Sequence, residues 1–420
     1  MKHCAPVAML AGASALLLLV GCTAAKPAST GLTGSVAPSV SDSTQPSVVA
    51  AIAPARISVS AAAGATDVNP IAPVVVTAAA GTLVSVQMTN AAGTVVTGTL
   101  SPDRHTWTTS EDLGYDKTYT VSATASNSAE RQTKTAAQFT TLNPISQTAA
   151  NFDIIGGNAL NGGETYGVGL VPIVHFDEPV TDRAAAQRAL VVTTTPHVAG
   201  VWSWDGDQNV HFRPESYWPS GTKVTIAANV YGVALGPGLY GQSDQTVSFT
   251  IGARHITYAD DATHQVSTYF NGKLVHTMPT AMGKHSTETV NGQFISFYTM
   301  DGNYTVIEHD NPAIMSSASY GLPANAPGGY APEAIAYSTK ISTDGVYLHE
   351  LNSTIWAQGH TDVSHGCLNL DTANASWFYN NSLIGDVVQV TNTGGPLIQE
   401  WEGGDWSVPW TTWIAGSALH

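Results

Sequence analysis

Cys367 is the residue in this sequence best placed to do chemistry. It lies in Gly359-His360-Thr361-Asp362-Val363-Ser364-His365-Gly366-Cys367-Leu368-Asn369, a polar stretch with two histidines, and a third histidine, His349, lies upstream. A thiol is a weak nucleophile until a nearby base or positive field raises its thiolate fraction. A cysteine set among histidines, in a loop too polar to be core, is a candidate nucleophile. Zinc is one competing chemistry, because His360, His365, Cys367 and His349 are acceptable ligands. Their spacing departs from the usual zinc patterns, and no acidic general base is evident nearby. A papain-like hydrolase is another, but there the cysteine normally precedes its histidine, the reverse of the order here.

The other two cysteines have other fates. Met1-Lys2-His3 is a short basic start and Val7 to Val20 is an apolar run. That run is shorter than the roughly 20 residues needed to span a bilayer and ends at small residues, so it is expected to be a secretory signal, residues 1–21. Leu19-Val20-Gly21-Cys22 resembles a bacterial lipobox, which implies cleavage before Cys22 and lipid attachment there. Cys4 would leave with the signal. The exported protein would then keep one free thiol, where reactivity explains its retention better than packing does.

The whole composition narrows the partners. The formal net charge is -16 over 420 residues, with only 15 Lys plus Arg, which argues against nucleic acid or an anionic membrane surface as ligand. Only 11% of residues are charged, and abundant Gly, Ala, Ser, Thr and Val suit exported β modules. The length predicts two or three domains. Residues 22–54 combine Cys22 with an Ala/Ser/Thr/Pro/Gly tether whose reach is on the order of 30 Å.

The elements that must position the thiol come last in the chain. Residues 55–145 alternate in short runs such as Leu83-Val84-Ser85-Val86 and Tyr119-Thr120-Val121, broken at Asp67-Val68-Asn69-Pro70 and Ser101-Pro102-Asp103. Residues 146–252 repeat the plan, with Val210-His211-Phe212 and Thr222-Lys223-Val224-Thr225-Ile226. Both predict β-sandwiches of immunoglobulin type without a disulfide. His175, His197 and His211 are scattered there and mark no site. Residues 253–393 open with a hairpin about Asn271-Gly272. A buried strand, Gly345 to His349, ends in the candidate base, a helix follows from Asp371 to Asn381, and Asp386 to Val390 closes the sheet. The irregular stretch Ile314 to Pro332 is expected to be a lid. Residues 394–420 carry Trp401, Trp406, Trp410 and Trp413, and so much indole needs a surface. The tail is expected to fold back across the junction of the second sandwich and the catalytic unit.

His349 followed by Ser364-His365-Gly366-Cys367-Leu368-Asn369, with Lys284-His285-Ser286-Thr287 and Thr289-Val290-Asn291-Gly292 upstream, resembles the catalytic domain of L,D-transpeptidases of the YkuD type. Two immunoglobulin-like modules and a Trp-rich tail resemble the mycobacterial and related actinobacterial lipoprotein branch. The resemblance implies a mainly β fold and a peptidoglycan cross-linking enzyme outside the cytoplasmic membrane, in the cell wall or periplasmic space. Cys367 would attack a donor tetrapeptide stem, release D-alanine, and pass the acyl group from a thioester to the amine of a second stem, giving a 3→3 cross-link. His349 would act as general base, oriented by the backbone carbonyl of Glu350. The backbone N–H groups of His365, Gly366 and Cys367 would serve as oxyanion donors. Tyr330 and Met315 in the lid, with Ser364 and Asn369 beside the nucleophile, would contact substrate. Carbapenem β-lactams would acylate the same thiol. No metal or organic cofactor is needed for this chemistry. L,D-carboxypeptidase action at the same thiol and a non-catalytic wall-binding lipoprotein are the alternatives.

Overall fold

A computed structural model describes residues 51–419. Cys4 and Cys22, with the expected signal and most of the tether, lie outside the described residues.

The N-terminal sandwich pairs two four-stranded sheets. One runs Arg56–Val59, Val75–Ala79, Thr106–Thr109, Gly98–Leu100, and the other Val95–Val96, Thr82–Asn90, Thr118–Ser126, Gln132–Thr140. Alternation does the sorting. In Thr118–Ser126 every second residue from Tyr119 to Ala125 is buried, and Val76, Leu83, Met88, Trp107, Val121 and Phe139 fill the space between the sheets. The second sandwich again uses two four-stranded sheets, around Phe176, Trp202, Trp204, Trp218, Ile226 and Phe249.

These two modules are joined by polar contacts. Tyr115 donates its hydroxyl to the Gly241 carbonyl at 2.7 Å, Tyr231 donates to the Leu113 carbonyl at 2.5 Å, and the two rings lie 4.7 Å apart. The second sandwich meets the catalytic part differently. Ile256 and Val387, from the catalytic sheet, belong to the second sandwich's own apolar core. Gly167 and Gly169 permit this approach, since a Cβ at Gly167 would sit 2.1 Å from the Asp386 amide and one at Gly169 2.6 Å from Val387.

The catalytic part contains a five-stranded sheet, in the order Lys273–Pro279, Gln265–Phe270, His255–Asp260, Val387–Thr391, Gly302–Thr305. The last strand completes the sheet from an inner position. It inserts in the middle, parallel to His255–Asp260 and antiparallel to Gly302–Thr305, because Val387, Val388 and Val390 need cover on both faces. A four-stranded sheet, Glu308–Asp310, Ser338–Lys340, Tyr347–Glu350, Leu368–Leu370, carries the candidate site. Helix Thr372–Asn381, capped by the Asp371 carboxylate accepting from the Asn374 amide, follows it.

Two further elements lie outside these sheets. Gln293–Ser296 pairs with Thr287–Val290, turning at Asn291 and Gly292, which both have positive φ. This hairpin packs Ile295 and Phe297 on Leu322 of the lid. The tail also buries only some of its indoles. Trp413 is buried and donates to the Val201 carbonyl, and Trp406 donates to that of Gly169. Arg213 lies over the rings of Trp406, Trp410 and Trp413. Trp401 stays 65% exposed.

Candidate active site

Parallel pairing places the two key side chains. Leu348 is registered with Leu368, and His349 with Asn369. Alternate residues share a face, so Leu348 and Leu368 enter the core while Cys367, His349 and Asn369 point the other way. Cys367, His349 and Asn369 line one cavity of about 160 Å³, with Met315, Tyr330 and Ser364 also at its wall. A second cavity of about 690 Å³ also reaches the thiol and shares Met315, Tyr330, His365 and Cys367 with the first.

The imidazole of His349 is fixed. Nδ1 lies 2.9 Å from the Glu350 carbonyl oxygen. A carbonyl can only accept, so Nδ1 carries the proton and Nε2 keeps its lone pair. The Glu350 carboxylate takes no part in this: Asn352 and Thr372 donate to it at 2.7 and 3.1 Å. Burial holds His349 down to about 4, the carbonyl opposing the shift.

Burial pushes Cys367 up to about 12, the Tyr347 amide pulls the other way, and the Asp344 charge adds to the rise. Sγ makes its contact with the Gly345 carbonyl, at 3.5 Å. Among the described residues no hydrogen bond joins Sγ to His349. Thiol and base are thus neutral neighbours in one cavity, an arrangement that tightens in many enzymes only with substrate.

The loop is held by its own side chains. Ser364 Oγ donates to the Cys367 carbonyl at 2.6 Å and accepts from the Gly366 amide at 3.1 Å. That bond engages the Gly366 N–H, which therefore is not a free oxyanion donor in this geometry, contrary to the expectation. Gly366 has φ +131°, and a Cβ there would meet only the Tyr298 carbonyl, at 3.8 Å. Backbone conformation, not crowding by the protein, requires glycine here. Thr299 Oγ1 donates to the Gly366 carbonyl at 2.8 Å. Asn369 is 1% exposed and neither of its amide atoms has a partner, so this side chain offers a donor and an acceptor to whatever enters the cavity.

The segment expected to be a lid is a short ribbon, Ala313–Met315 paired with Glu333–Ile335, enclosing a 3₁₀ turn at Ser317–Tyr320. His365 latches it. Its Nε2 donates to the Gly328 carbonyl at 2.8 Å, and its ring lies 5.5 Å from that of Tyr330 and 5.0 Å from Phe297. Burial and the Lys284 charge depress its pKa. His360 is exposed and takes no part in the cavity. Sequence reasoning missed two gatherings of ligand-type side chains: His211 with Glu400 and Asp405, and His285 with Asp261 and Asp362. Neither includes Cys367, and both are assembled across large sequence separations that no local motif reports.

A family model described as the L,D-transpeptidase catalytic domain matches residues 254–390, and one described as a bacterial Ig domain matches residues 65–234. L,D-transpeptidase 2 of Mycobacterium tuberculosis is 42% identical over 86% of this chain and 85% of its own length. L,D-transpeptidase 5 of the same species is 35% identical over 87% and 77% respectively. A solved structure of L,D-transpeptidase 3 from Mycobacterium tuberculosis with a faropenem-derived adduct is 27% identical, covering 57% of this chain and 97% of that one, at a TM-score of 0.45.

Proposed function

The chain belongs to the L,D-transpeptidase family and is an L,D-transpeptidase enzyme, and from that premise we propose that it forms 3→3 cross-links between peptidoglycan stems through a thioester on Cys367. The observation that carries this reading is the His349 Nδ1 contact with the Glu350 carbonyl, which leaves Nε2 as an acceptor in the cavity of the thiol. A donor stem entering the cavity brings its scissile carbonyl to Sγ. The thiol proton passes to His349 Nε2 as the C–S bond forms, and the protonated imidazole then delivers it to the leaving amine of D-alanine. The acceptor amine attacks the thioester, loses its proton to His349, and regenerates the thiol.

Charge developing on the carbonyl oxygen is met by backbone N–H groups at the head of the loop, Cys367 and His365 being the candidates left by the engagement of Gly366. Asn369 pairs with a peptide group of the donor, Ser364 keeps the loop in register, and Tyr330 with Met315 covers the acyl-enzyme against water. A strained β-lactam carbonyl presents the same electrophile, so carbapenems acylate Cys367. Export and lipid attachment at Cys22 belong to the same reading: Cys22→Ser should release the protein from membranes into the medium, and retention in the membrane fraction would refute the anchor.

The central test incubates the purified protein with disaccharide-tetrapeptide and follows products by mass spectrometry. Free D-alanine together with a cross-linked dimer is expected, with a meropenem adduct on Cys367. D-alanine release without dimer at high acceptor concentration would make the enzyme a carboxypeptidase. Neither product, with Cys367 shown to be reduced, would reject the reading.

A further inference from the structure

Beside the nucleophile loop, among residues that line neither cavity, four side chains that can hold a metal meet. Asp261 and His264 come from the turn after strand His255–Asp260, His285 from the segment leading into the hairpin at Thr287, and Asp362 from the nucleophile loop itself. His285 Nε2 lies 2.8 Å from Asp261 Oδ2 and 3.8 Å from Asp362 Oδ2, and His264 Nδ1 lies 3.2 Å from that same Asp362 oxygen. The ligand atoms of Asp261, His285 and Asp362 all fall within 4.8 Å of one another. Two ligands of one tetrahedral zinc ion stand about 3.3 Å apart when each is about 2.0 Å from the metal.

Two further observations point to a bound cation. Asp261 is 2% exposed and its second oxygen, Oδ1, has no partner. Burying a carboxylate with an unsatisfied oxygen is costly unless something positive is supplied. Asp362 is the second carboxylate, its side chain also buried. His264 Nδ1 is also buried and makes no aligned hydrogen bond despite its 3.2 Å approach to Asp362. His285 Nε2, by contrast, is hydrogen-bonded to Asp261 Oδ2 at 2.8 Å, so an ion entering here would displace that proton and take both lone pairs.

We propose that Asp261, His285 and Asp362, with His264 as the adjoining fourth donor, form a binding site for a divalent transition-metal ion, zinc by its donor set, that clamps the base of the nucleophile loop. Imidazole and carboxylate together suit zinc and lack the oxygen-rich shell that calcium or magnesium requires. The half-exposed His285 side chain leaves an entry path from solvent. The ion would join segments already laced together: Asp362 Oδ1 accepts from the Met282 amide at 2.7 Å, the Ser364 amide donates to the Met282 carbonyl at 2.9 Å, and the Lys284 amide donates to the Ser364 carbonyl at 2.9 Å. Ser364 in turn holds Cys367. The site is therefore structural and lies outside the acyl-transfer steps.

The experiment must separate this site from the thiol, which also has affinity for zinc. Purified wild-type protein, Cys367→Ser and His285→Gln are titrated with zinc by calorimetry, and with cobalt(II) followed by absorption. One zinc per chain is expected in both wild type and Cys367→Ser, with affinity at least about tenfold weaker in His285→Gln. Cobalt should give visible d–d bands in Cys367→Ser without a sulfur-to-metal charge-transfer band. His285 is half-exposed, so its replacement leaves the core in place, and unchanged circular dichroism checks this. No zinc uptake by wild type would overturn the proposal. So would uptake lost in Cys367→Ser and kept in His285→Gln, or binding of calcium or magnesium in preference to zinc.

Discussion

The nucleophile loop has two faces, and they are built on opposite principles. Its cavity face carries the reacting groups, and burial there disfavours both the Cys367 thiolate and the His349 imidazolium. Its rear face gathers two carboxylates and two imidazoles within a few ångströms. The front holds groups that must change protonation when substrate arrives. The rear holds groups that tie the backbone, as where Asp362 Oδ1 accepts from the Met282 amide. Reactivity and rigidity are thus assigned to different residues of one short segment, Cys367 and Asp362, only a few positions apart.

The largest effect expected from breaking this division is at the front. Cys367→Ala should lose both transfer activity and any meropenem adduct, with the circular dichroism spectrum unchanged; an adduct of full mass on this variant would remove the nucleophile from the front face. His349→Gln keeps the side chain's approximate size and removes the base. Transfer should fall by about 10²- to 10⁴-fold in steady-state assay.

The neutrality of the front can be probed without substrate. Iodoacetamide reacts with the thiolate, so alkylation of the free enzyme should keep accelerating as pH rises toward about 12. A plateau near neutrality would mean that a thiolate-imidazolium pair already exists. His349 sets a second pH signature. Its folded-state value of about 4 lies below the ordinary 6.5, so its contribution to stability is complete above pH 6.5 and is lost as pH falls through about 4. The melting temperature of the wild type should drop across that window more than that of His349→Gln, which does not titrate.

The smallest effect concerns the lid. His365→Ala removes the hydrogen bond to Gly328 and the ring packing on Tyr330. Hydrolysis relative to transfer should rise about two- to tenfold, the range for loss of one hydrogen bond, when both products are counted by mass spectrometry.

Much of the front face was legible in the sequence, because its residues lie close together in two segments. Period-two alternation puts His349 at the end of a strand, and Ser364 to Asn369 form one continuous motif. The reason glycine stands at 366 was less legible, since a φ of +131° is a property of the folded loop. The engagement of its amide by Ser364 was hidden for the same reason. The rear face was not legible at all. Asp261 and Asp362 are a hundred residues apart, and only the five-stranded sheet and the hairpin beyond it bring them together. The middle placement of Val387–Thr391 likewise depends on which strands compete for its two buried faces. Trp401 was expected to be buried with the other tail indoles, yet burial there is set by Arg213 and the Val201 and Gly169 carbonyls, which Trp401 does not reach.

The contrast between the two junctions of the molecule has a mechanical meaning. Ile256 and Val387 make the second sandwich and the catalytic sheet parts of one apolar core, whereas the first sandwich is attached through the hydroxyls and rings of Tyr115 and Tyr231. Load entering at the N-terminal end therefore crosses a few hydrogen bonds and a pair of tyrosine rings before it reaches the core that the second sandwich shares with the thiol-bearing sheet.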